Sequence, residues 1–288
     1  ALGRRIYLPR GKVLGGSSST NAMAYVRGNA ADYNDWAALG NRGWSYADVL
    51  PAFKKHEHNP DISNQYHGQG GELHTGFAHS FQTDFVKPFI DACLQSGFAE
   101  NMDYNGARQE GTGPFQFNIK DAKRQSSAVA FLKPVLNRPN LSVKTGLHVN
   151  RILLKGSRAN SVEVLTGRNT TERFEATREI ILSAGAFASP QLLMLSGIGN
   201  EQDLKPHGIS MVHHLPGVGK NLQDHLFYPV SSTSNWQGGQ NHHIKLSNQL
   251  KGLANYLLFK KGAFTIGPLE AVAFGSTSLS PERVDFQL

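Results

Sequence analysis

The sequence predicts a mixed α/β fold, and three of its features carry that prediction. The first is a helix signature at Ser45, where a Ser and an Asp three residues later form a capping box ahead of apolar residues at helical spacing. The second is a cluster of short β-branched runs joined by turns over residues 141–183. The third is the passage from an apolar strand pattern at 180–182 through Gly185 into a helix. Sheet-forming sequence is therefore concentrated in the middle of a chain that also forms helices.

The 288-residue chain is long enough for one large or two ordinary domains. Its 39% hydrophobic and 18% charged residues are typical of a globular protein, and no apolar run approaches the roughly 20 residues that span a bilayer. Residues 1–10 lack the pattern of a secretory leader, and residues 284–288 stop within an alternating strand pattern. We therefore expect an internal piece of a longer protein.

The formal net charge of +7 comes with 29 Lys and Arg spread along the chain, without a basic helix face or an aromatic RNA-binding motif. This distribution argues against a nucleic-acid partner and favours charge that serves solubility in general, or attraction to an anionic cofactor or membrane surface. The lone Cys93 excludes an intrachain disulfide and fits a reducing compartment. We expect a cytoplasmic protein, with peripheral association at the inner face of the membrane left open.

Periodicity predicts the elements of the first half of the chain in order. Residues 29–44 are rich in Gly and aromatic residues, and we expect them to form a long structured loop. Apolar residues at helical spacing predict helices, and short alternating or β-branched runs predict strands. The predicted elements are a helix over 46–56, a short strand over 72–74, a helix over 83–96 closed by Gly97, a strand over 114–119 and a short helix over 126–136.

The second half begins with predicted strands over 141–144, 149–155, 161–165, 173–176 and 179–183. Ser189 is then predicted as the N-cap of a helix over 191–195, with Pro190 at its first position. The remaining predictions are a short helix over 201–205, an amphipathic helix with leucines at 246, 250, 253 and 257, and strands over 271–276 and 284–288.

The run GKVLGGSSSTN at residues 11–21 predicts a loop that holds a ligand. Adjacent Gly15 and Gly16 let the backbone approach a bound group, while the serines and Asn21 offer hydroxyl and amide donors. The alternative is a solvent-exposed Gly/Ser linker, which has a similar composition. Apolar residues on both sides of the run favour the ligand loop. A P-loop does not fit, because Lys12 directly follows the first glycine.

Other site chemistries find little support in the sequence. No serine lies in a Gly-x-Ser-x-Gly elbow, so a nucleophilic serine is not indicated. Close histidine pairs such as His213 and His214 lack the His-Glu-x-x-His spacing and an acidic cluster, so we predict no metal site. The Gly-x-Gly runs at 197–199 and 217–219 lack the third glycine of a dinucleotide fingerprint.

Two motifs, taken in order, resemble the signatures of one family. The run at residues 11–21, followed by Gly28 and Asp32, and the run GAFASPQLLMLSGIG at 185–199 resemble the two signatures of the glucose-methanol-choline oxidoreductases. The run over 205–225 is also similar to the family. Within the family, the chain looks most like the choline dehydrogenase and alcohol dehydrogenase branch.

The resemblance implies a flavoprotein with two interleaved domains. Family members bind FAD in a Rossmann-like domain and their substrate over an antiparallel-sheet domain. Residues 1–60 and 120–228 are therefore expected to belong to an incomplete FAD-binding domain, and residues 61–119 and 229–288 to the substrate-binding domain. The first strand of the family and its glycine loop are expected ahead of residue 1.

The resemblance also implies which residues lie along FAD. Those expected along the pyrophosphate and the isoalloxazine are Val13, Gly15, Gly16, Asn21, Ala22, Met23 and Ala24. Val149 is expected to contact the adenine end through its backbone, although its sequence context alone indicates a core valine. Gly185 is expected to pass close to the cofactor. Thr20 stands where choline oxidase has a histidine bound to the flavin, so FAD is expected to be non-covalent here.

The implied activity is oxidation of the CH–OH group of a choline-like or primary alcohol, with hydride transfer to flavin N5. The catalytic histidine of the family is expected beyond Leu288, so no residue of this chain is predicted to be catalytic. Glu270 and Phe274 are expected to face the substrate cavity. Two alternatives stay open: a lyase that holds FAD without redox chemistry, and an inactive truncated product. The electron acceptor and the oligomeric state are not predicted.

Overall fold

The structure is a computed structural model that describes residues 3, 5–167, 170–236, 239 and 245–288. The chain divides into two compact units. The first unit comprises the described residues of Ala1–Leu141 and Thr233–Leu288, and the second unit comprises those of Ser142–Ser232. Within the described residues, no helix combines the length and the apolar character that crossing a bilayer requires.

The described residues form both helices and strands, so the predicted mixed α/β class is confirmed. The helices are α1 (Ala30–Ala38), α2 (Tyr46–His56), α3 (Val86–Gln95), α4 (Gly185–Leu195), α5 (Glu201–Leu204) and α6 (Leu246–Phe259). The strands are β1 (Glu57–His58), β2 (Leu73–His74), β3 (Gly76–Phe77), β4 (Gly111–Pro114), β5 (Gln116–Phe117), β6 (Ile119–Lys120), β7 (Lys123–Arg124), β8 (His148–Lys155), β9 (Arg158–Leu165), β10 (Thr171–Glu175), β11 (Ile198–Gly199), β12 (His213–His214), β13 (Ala271–Gly275) and β14 (Phe286–Gln287).

Capping boxes start the first two helices. The Ser45 hydroxyl accepts a hydrogen bond from the Asp48 N–H, and the Asp48 carboxylate accepts one from the Ser45 N–H. The predicted bounds of α2 are confirmed. The expected loop over residues 29–44 is wrong, because Asn29 and Asp32 form a second capping box that starts α1. Tyr33 of α1 packs against Phe53 of α2 with ring centroids 5.8 Å apart, so aromatic contacts hold α1 on its neighbour.

The core of the first unit lies against a short antiparallel sheet. Strand β13 pairs with β4 on one side and with β14 on the other. These pairs join residues 111–114 to residues 271–275, two segments expected to share the substrate-binding domain. Behind the sheet lies an aromatic core cluster, formed by Tyr104, Phe115, Phe117, Val272 and Phe274. The predicted strand over 114–119 is divided into parts of β4, β5 and β6, and the predicted helix over 126–136 contains a π-helical turn at Ala128–Leu132.

The second unit is built on the antiparallel meander β8–β9–β10. Val149 lies opposite Val164 in the register of β8 and β9, next to an irregularity between Val149 and Arg151. Helix α4 packs against β8. At the end of α4 the Ser196 hydroxyl accepts a 2.8 Å hydrogen bond from the Ile152 N–H, which joins the helix to the strand. The predicted strands over 149–155, 161–165 and 173–176 are confirmed.

Two predicted strands of the second unit are wrong. Residues 141–144 and 179–183 form no strand, and Ile181 is 78% exposed. A strand needs a hydrogen-bonded neighbour, and no described residue pairs with the segment 179–183. The helix that follows starts at Gly185, five residues before the predicted first position at Pro190. Ser189 is therefore inside α4, where its hydroxyl accepts a 3.1 Å hydrogen bond from the Ala184 N–H.

Candidate functional site

The loop at residues 11–21 makes a tight turn at two glycines. Gly15 and Gly16 have φ angles of +89° and +54°, and residues Gly16–Ser19 form one 3₁₀ turn. A Cβ on Gly15 would lie 2.5 Å from the Ser19 hydroxyl oxygen and 3.2 Å from Ala128, whereas a Cβ on Gly16 would meet no atom within 4 Å. The structure therefore packs Gly15 against the loop and leaves open space beside Gly16.

The serine and threonine hydroxyls of the loop point back into it. Ser18 donates to the Gly15 carbonyl at 2.5 Å, Ser19 to the Leu14 carbonyl at 2.8 Å and Thr20 to the Ser17 carbonyl at 3.3 Å. Each hydroxyl has a single proton to donate. The expectation that the serine hydroxyls are donors for a ligand is therefore wrong for Ser18 and Ser19. Their hydrogen bonds stabilise the shape of the loop instead.

A second segment, residues 124–128, supports the loop from behind. The Ser18 hydroxyl accepts a 2.9 Å hydrogen bond from the Ser127 N–H, and the Ser127 hydroxyl donates to the Gly15 carbonyl at 3.2 Å. The Arg124 guanidinium donates to Asn21 Oδ1 at 2.7 Å and to the Ser18 carbonyl at 3.2 Å. Burial lowers the pKa of Arg124, but a guanidinium keeps its charge at neutral pH. The conformation of the loop is thus fixed by contacts some hundred residues away in sequence.

The segment leaving the loop presents backbone donors. Met23 has a φ of +67°, and its N–H donates to Asn21 Oδ1 at 3.1 Å. The carbonyl of Met23 accepts from the Asn118 N–H at 2.9 Å, and Ala24 lies opposite Phe117. In this arrangement the N–H groups of Ala22 and Ala24 have no hydrogen-bond acceptor among the described residues. Such unpaired, closely spaced N–H groups can bind anionic or electron-rich ligand atoms.

The two remaining predicted FAD contacts lie in the second unit. Val149 is 38% exposed on β8, so it is not a core valine, and it lines a groove of 560 Å³. The same groove is lined by Ser183 and Ala184 just before α4. Gly185 starts α4 with a φ of +90°, and a Cβ there would meet no atom within 4 Å. Val149 thus faces the groove, and the backbone at Gly185 has open space beside it.

The two residues expected at the substrate cavity have other contacts. Phe274 is 4% exposed and packs in the core cluster of the first unit, with its ring centroid 5.3 Å from that of Tyr104. The Glu270 carboxylate accepts a 2.6 Å hydrogen bond from the Thr83 N–H. Among the described residues, no group of three or more His, Cys, Asp and Glu side chains could hold a metal ion.

A buried cluster of charged side chains, not expected from the sequence, lies next to the segment that leaves the loop. It consists of Arg27, Glu57, His67 and Asp103, and we call it the charge cluster. Four donors converge on the fully buried carboxylate of Glu57: Arg27 Nη2 at 2.8 Å, the Gly68 N–H at 2.8 Å, His67 Nδ1 at 3.1 Å and Thr75 Oγ1 at 3.1 Å. The second ring nitrogen of His67 lies 2.8 Å from Asp103 Oδ1.

Hydrogen bonding outweighs burial in setting the charges of the cluster. Burial alone would raise the pKa of Glu57, but the hydrogen bonds from His67 and from the Gly68 N–H hold it below its usual value. The pKa of Asp103 is lowered in the same way, against its burial, by its bonds to His67 and Asn64. No spacing rule links residues 27, 57, 67 and 103, so sequence patterns offered no signal for the cluster.

The comparisons with known proteins agree with these motifs. The sequence model of the family described as GMC oxidoreductase matches residues 2–227. The chain is similar to the oxygen-dependent choline dehydrogenase of Brucella anthropi, with 42% identity over 285 residues covering 99% of this chain and 51% of that protein. Its identity to the oxygen-dependent choline dehydrogenase of Rhizobium etli is 44% over 296 residues, with coverage of 99% and 51%.

Solved structures show a similar fold. An FAD-dependent oxidoreductase from Chaetomium thermophilum superimposes with a TM-score of 0.83 at 29% identity, over 93% of this chain and 49% of that one. The chain spans about half the length of the curated relatives it matches.

Proposed function

The chain belongs to the GMC oxidoreductase family, and from that premise we propose that it carries part of the FAD site of an alcohol oxidoreductase. Its substrate would be choline or another small primary alcohol, since the relatives with 42% and 44% identity are named choline dehydrogenases. Those relatives are also named oxygen-dependent, which makes oxygen the first electron acceptor to test.

The backbone leaving the glycine loop is the observation that carries this proposal. The N–H groups of Ala22 and Ala24 lack acceptors among the described residues, while the hydroxyls of Ser18 and Ser19 are used within the loop. A ligand at this surface would therefore meet backbone donors and open space beside Gly16. An electron-rich, partly anionic group such as FAD fits that set of donors.

The residues proposed to hold FAD are those that the family resemblance indicated. In the first unit they are Val13, Gly15, Gly16, Asn21, Ala22, Met23 and Ala24, and in the second unit they are Val149 and Gly185. The side-chain oxygen of Asn21 accepts hydrogen bonds from both Arg124 and the Met23 N–H. Asn21 would therefore contribute to FAD binding mainly by holding the backbone at Met23 in place. When bound, FAD would supply a two-electron acceptor for the carbon-bound hydride of the alcohol.

We expect the FAD to be held without a covalent bond. Thr20 has no ring nitrogen, and its hydroxyl donates to the Ser17 carbonyl at 3.3 Å, so it offers no atom for the bond that a histidine can form with the flavin. Acid precipitation of the protein should release the yellow colour into the supernatant. Flavin that stays with the precipitated polypeptide would contradict this expectation.

The domain assignment and the membrane association remain predictions. We assign FAD binding to residues 1–60 and 120–228, and substrate binding to residues 61–119 and 229–288. Crosslinking of bound cofactor and substrate analogues would test this assignment. The formal charge of +7 favours association with an anionic membrane surface. Cosedimentation with vesicles rich in anionic lipid, compared with neutral vesicles, would test that association.

Activity assays on the intact gene product test the proposed function. The purified protein should show the two absorbance bands of oxidised flavin, and choline or a primary alcohol should cause oxygen uptake that depends on the alcohol. A colourless protein that takes up no FAD would refute the proposal. A yellow protein with no oxygen uptake and no activity with other electron acceptors would instead favour flavin chemistry without net redox change.

A further inference from the structure

The charge cluster contains a histidine whose two ring nitrogens both face carboxylates. Nδ1 of His67 lies 3.1 Å from Glu57 Oε1, and Nε2 lies 2.8 Å from Asp103 Oδ1. An ionised carboxylate only accepts hydrogen bonds, so both ring nitrogens must carry a proton to bond to both acids. The amide nitrogen of Asn59 is 3.3 Å from Nδ1, which leaves Glu57 as the nearer partner. The geometry therefore favours an imidazolium at His67.

The charges of the cluster balance only with that proton present. Arg27 and His67 supply two positive charges, and Glu57 and Asp103 supply two negative charges. The side chains of Arg27, Glu57 and His67 are at most 3% exposed. A neutral group at position 67 would thus leave Arg27 as the one cation of the cluster for two carboxylates, Glu57 fully buried and Asp103 23% exposed, which is costly in a medium of low polarity.

The charge cluster is connected to the segment that follows the glycine loop through Arg27. Its guanidinium donates to Glu57 at 2.8 Å, to the Tyr66 carbonyl at 2.8 Å and to the Tyr25 hydroxyl at 3.1 Å. The backbone at Tyr25 and Arg27 is also held by one side chain. Asn105 accepts from the Arg27 N–H at 2.8 Å and donates to the Tyr25 carbonyl at 3.0 Å.

Tyr25 directly follows the two free donors of the loop. Its N–H donates to the Gln116 carbonyl at 2.7 Å, immediately after Ala24. The direction of the Ala22 and Ala24 N–H groups therefore depends on how the backbone at residues 25–27 is held. If Arg27 loses its carboxylate partner, this segment loses one of its anchors and keeps its bonds to Asn105 and Gln116, while the glycine turn at Gly15 and Gly16 keeps its own contacts.

We propose that His67 is a positioning residue for flavin binding: as an imidazolium between Glu57 and Asp103, it keeps Glu57 on Arg27 and so fixes the backbone donors that follow the glycine loop. The proposal rests on the proposed function, because it assigns those donors to FAD. His67 itself lies within the charge cluster and acts through Arg27, so it is not a catalytic residue.

The titratable and charged groups facing His67 determine the pH at which His67 loses its second ring proton. Glu57 on β1 and Asp103 face the ring directly, and Arg27, Tyr25 and Tyr46 lie beyond Glu57. Burial lowers the pKa of His67, but the hydrogen bonds to Asp103 and Glu57 outweigh burial and raise it to about 9. Burial raises the pKa of Tyr25 to about 12, so this phenol stays neutral over the same range. FAD affinity should thus be constant at neutral pH and decline as pH passes 9.

The test uses the intact gene product and three variants. His67→Gln keeps a polar side chain but cannot carry the charge. The double variant with His67→Gln and Asp103→Asn removes one charge of each sign and restores the balance of the cluster. His79→Gln is the matched control, because His79 also pairs with an aspartate, Asp61, at 2.7 Å but is 72% exposed. The measurements are the FAD dissociation constant from pH 6.5 to 10 and the melting temperature of the apoprotein.

His67→Gln should bind FAD at least about tenfold more weakly than the wild type at pH 7, with no further decline through pH 9. The double variant should recover most of that loss, and His79→Gln should match the wild type in affinity and pH profile. If His67→Gln does not fold, a folded double variant that binds FAD with near wild-type affinity would support the proposal.

Three results would overturn the proposal: wild-type affinity and pH profile in His67→Gln, the same inflection near pH 9 in His67→Gln, or a double variant as impaired as the single one. If the wild type binds no FAD at all, the proposed function fails instead. The melting temperatures of the same variants then still decide whether His67 balances the charge of the cluster, since compensation by Asp103→Asn does not depend on FAD.

Discussion

Alanine at Gly15 and at Gly16 should separate the packing of the glycine loop from its contact with the cofactor. Both residues have positive φ angles, of +89° and +54°, so both substitutions carry a backbone penalty. They differ in what the new methyl group meets. At Gly15 it would lie 2.5 Å from Ser19 Oγ, and at Gly16 it would meet no atom of the described protein within 4 Å.

The expected costs follow from these contacts. A left-handed conformation costs a residue with a Cβ about 1–2 kcal/mol, and this is the whole effect expected for Gly16→Ala in the apoprotein. In Gly15→Ala the Ser19 hydroxyl must also move and lose its 2.8 Å bond to the Leu14 carbonyl, which adds about 1 kcal/mol. Gly15→Ala should therefore lower the melting temperature by several degrees more than Gly16→Ala, at about 2–4 °C per kcal/mol.

FAD affinity should follow a different order. The methyl group of Gly16→Ala would enter the open space where the cofactor is proposed to pass, so this variant should lose about tenfold or more in affinity while the apoprotein stays well folded. Thermal denaturation of apoproteins and titration with FAD measure the two quantities separately. Wild-type FAD affinity in Gly16→Ala would refute the placement of the cofactor beside Gly16, and equal destabilisation by both substitutions would refute the packing of Gly15 against Ser19.

Three further changes test separate contacts. Ser196→Ala leaves the buried Ile152 N–H without its 2.8 Å acceptor, so the free energy of unfolding should fall by about 1–3 kcal/mol in chemical denaturation; an unchanged value would contradict this contact. His67, with a pKa raised from 6.5 to about 9, contributes stability that is complete below pH 6.5 and lost as pH rises through 9. The stability difference between wild type and His67→Gln should shrink over that range, and a constant difference would speak against the imidazolium. Arg124→Gln removes a 2.7 Å bond to Asn21 and should weaken FAD binding about tenfold, measured by calorimetry, whereas unaltered binding would show that the Asn21 orientation is not needed.

Local signals predicted the helices best. The pair Ser45 and Asp48 fixed the start of α2, since the capping bonds form between residues three apart and need no other part of the chain. The same pair of bonds at Asn29 and Asp32 starts α1, but the glycines and aromatic residues around it favoured a loop in the sequence. The aromatic residues make tertiary contacts instead, because Tyr33 of α1 packs against Phe53 of α2.

Strands depended on partners that periodicity does not reveal. The β-branched run at 149–155 forms β8 because β9 follows it and supplies hydrogen bonds in a hairpin. The equally apolar run at 179–183 has no hydrogen-bonded partner strand among the described residues, so Ile181 stays largely exposed. An apolar pattern indicates that a segment can be a strand, but its neighbours decide whether it becomes one.

The candidate site was predictable in position but not in its chemistry. Gly15 and Gly16 marked the ligand loop, and their positive φ angles are a property that glycine adopts without strain. The inward direction of the Ser18 and Ser19 hydroxyls was not predictable, because it depends on carbonyl groups brought close by the turn. The charge cluster joins residues up to 76 positions apart, from Arg27 to Asp103, and only the folded chain brings them together.

Anaerobic addition of choline or a primary alcohol to the intact gene product tests most directly whether the loop at residues 11–21 belongs to an alcohol-oxidising flavin site. The visible flavin absorbance should bleach in proportion to the alcohol added and return when air is admitted. The Gly16→Ala variant, at equal protein concentration and with limiting FAD, should show less bound and less bleached flavin. A flavin that stays oxidised under every alcohol tested, or a protein that holds no flavin, would contradict the proposed site and its chemistry.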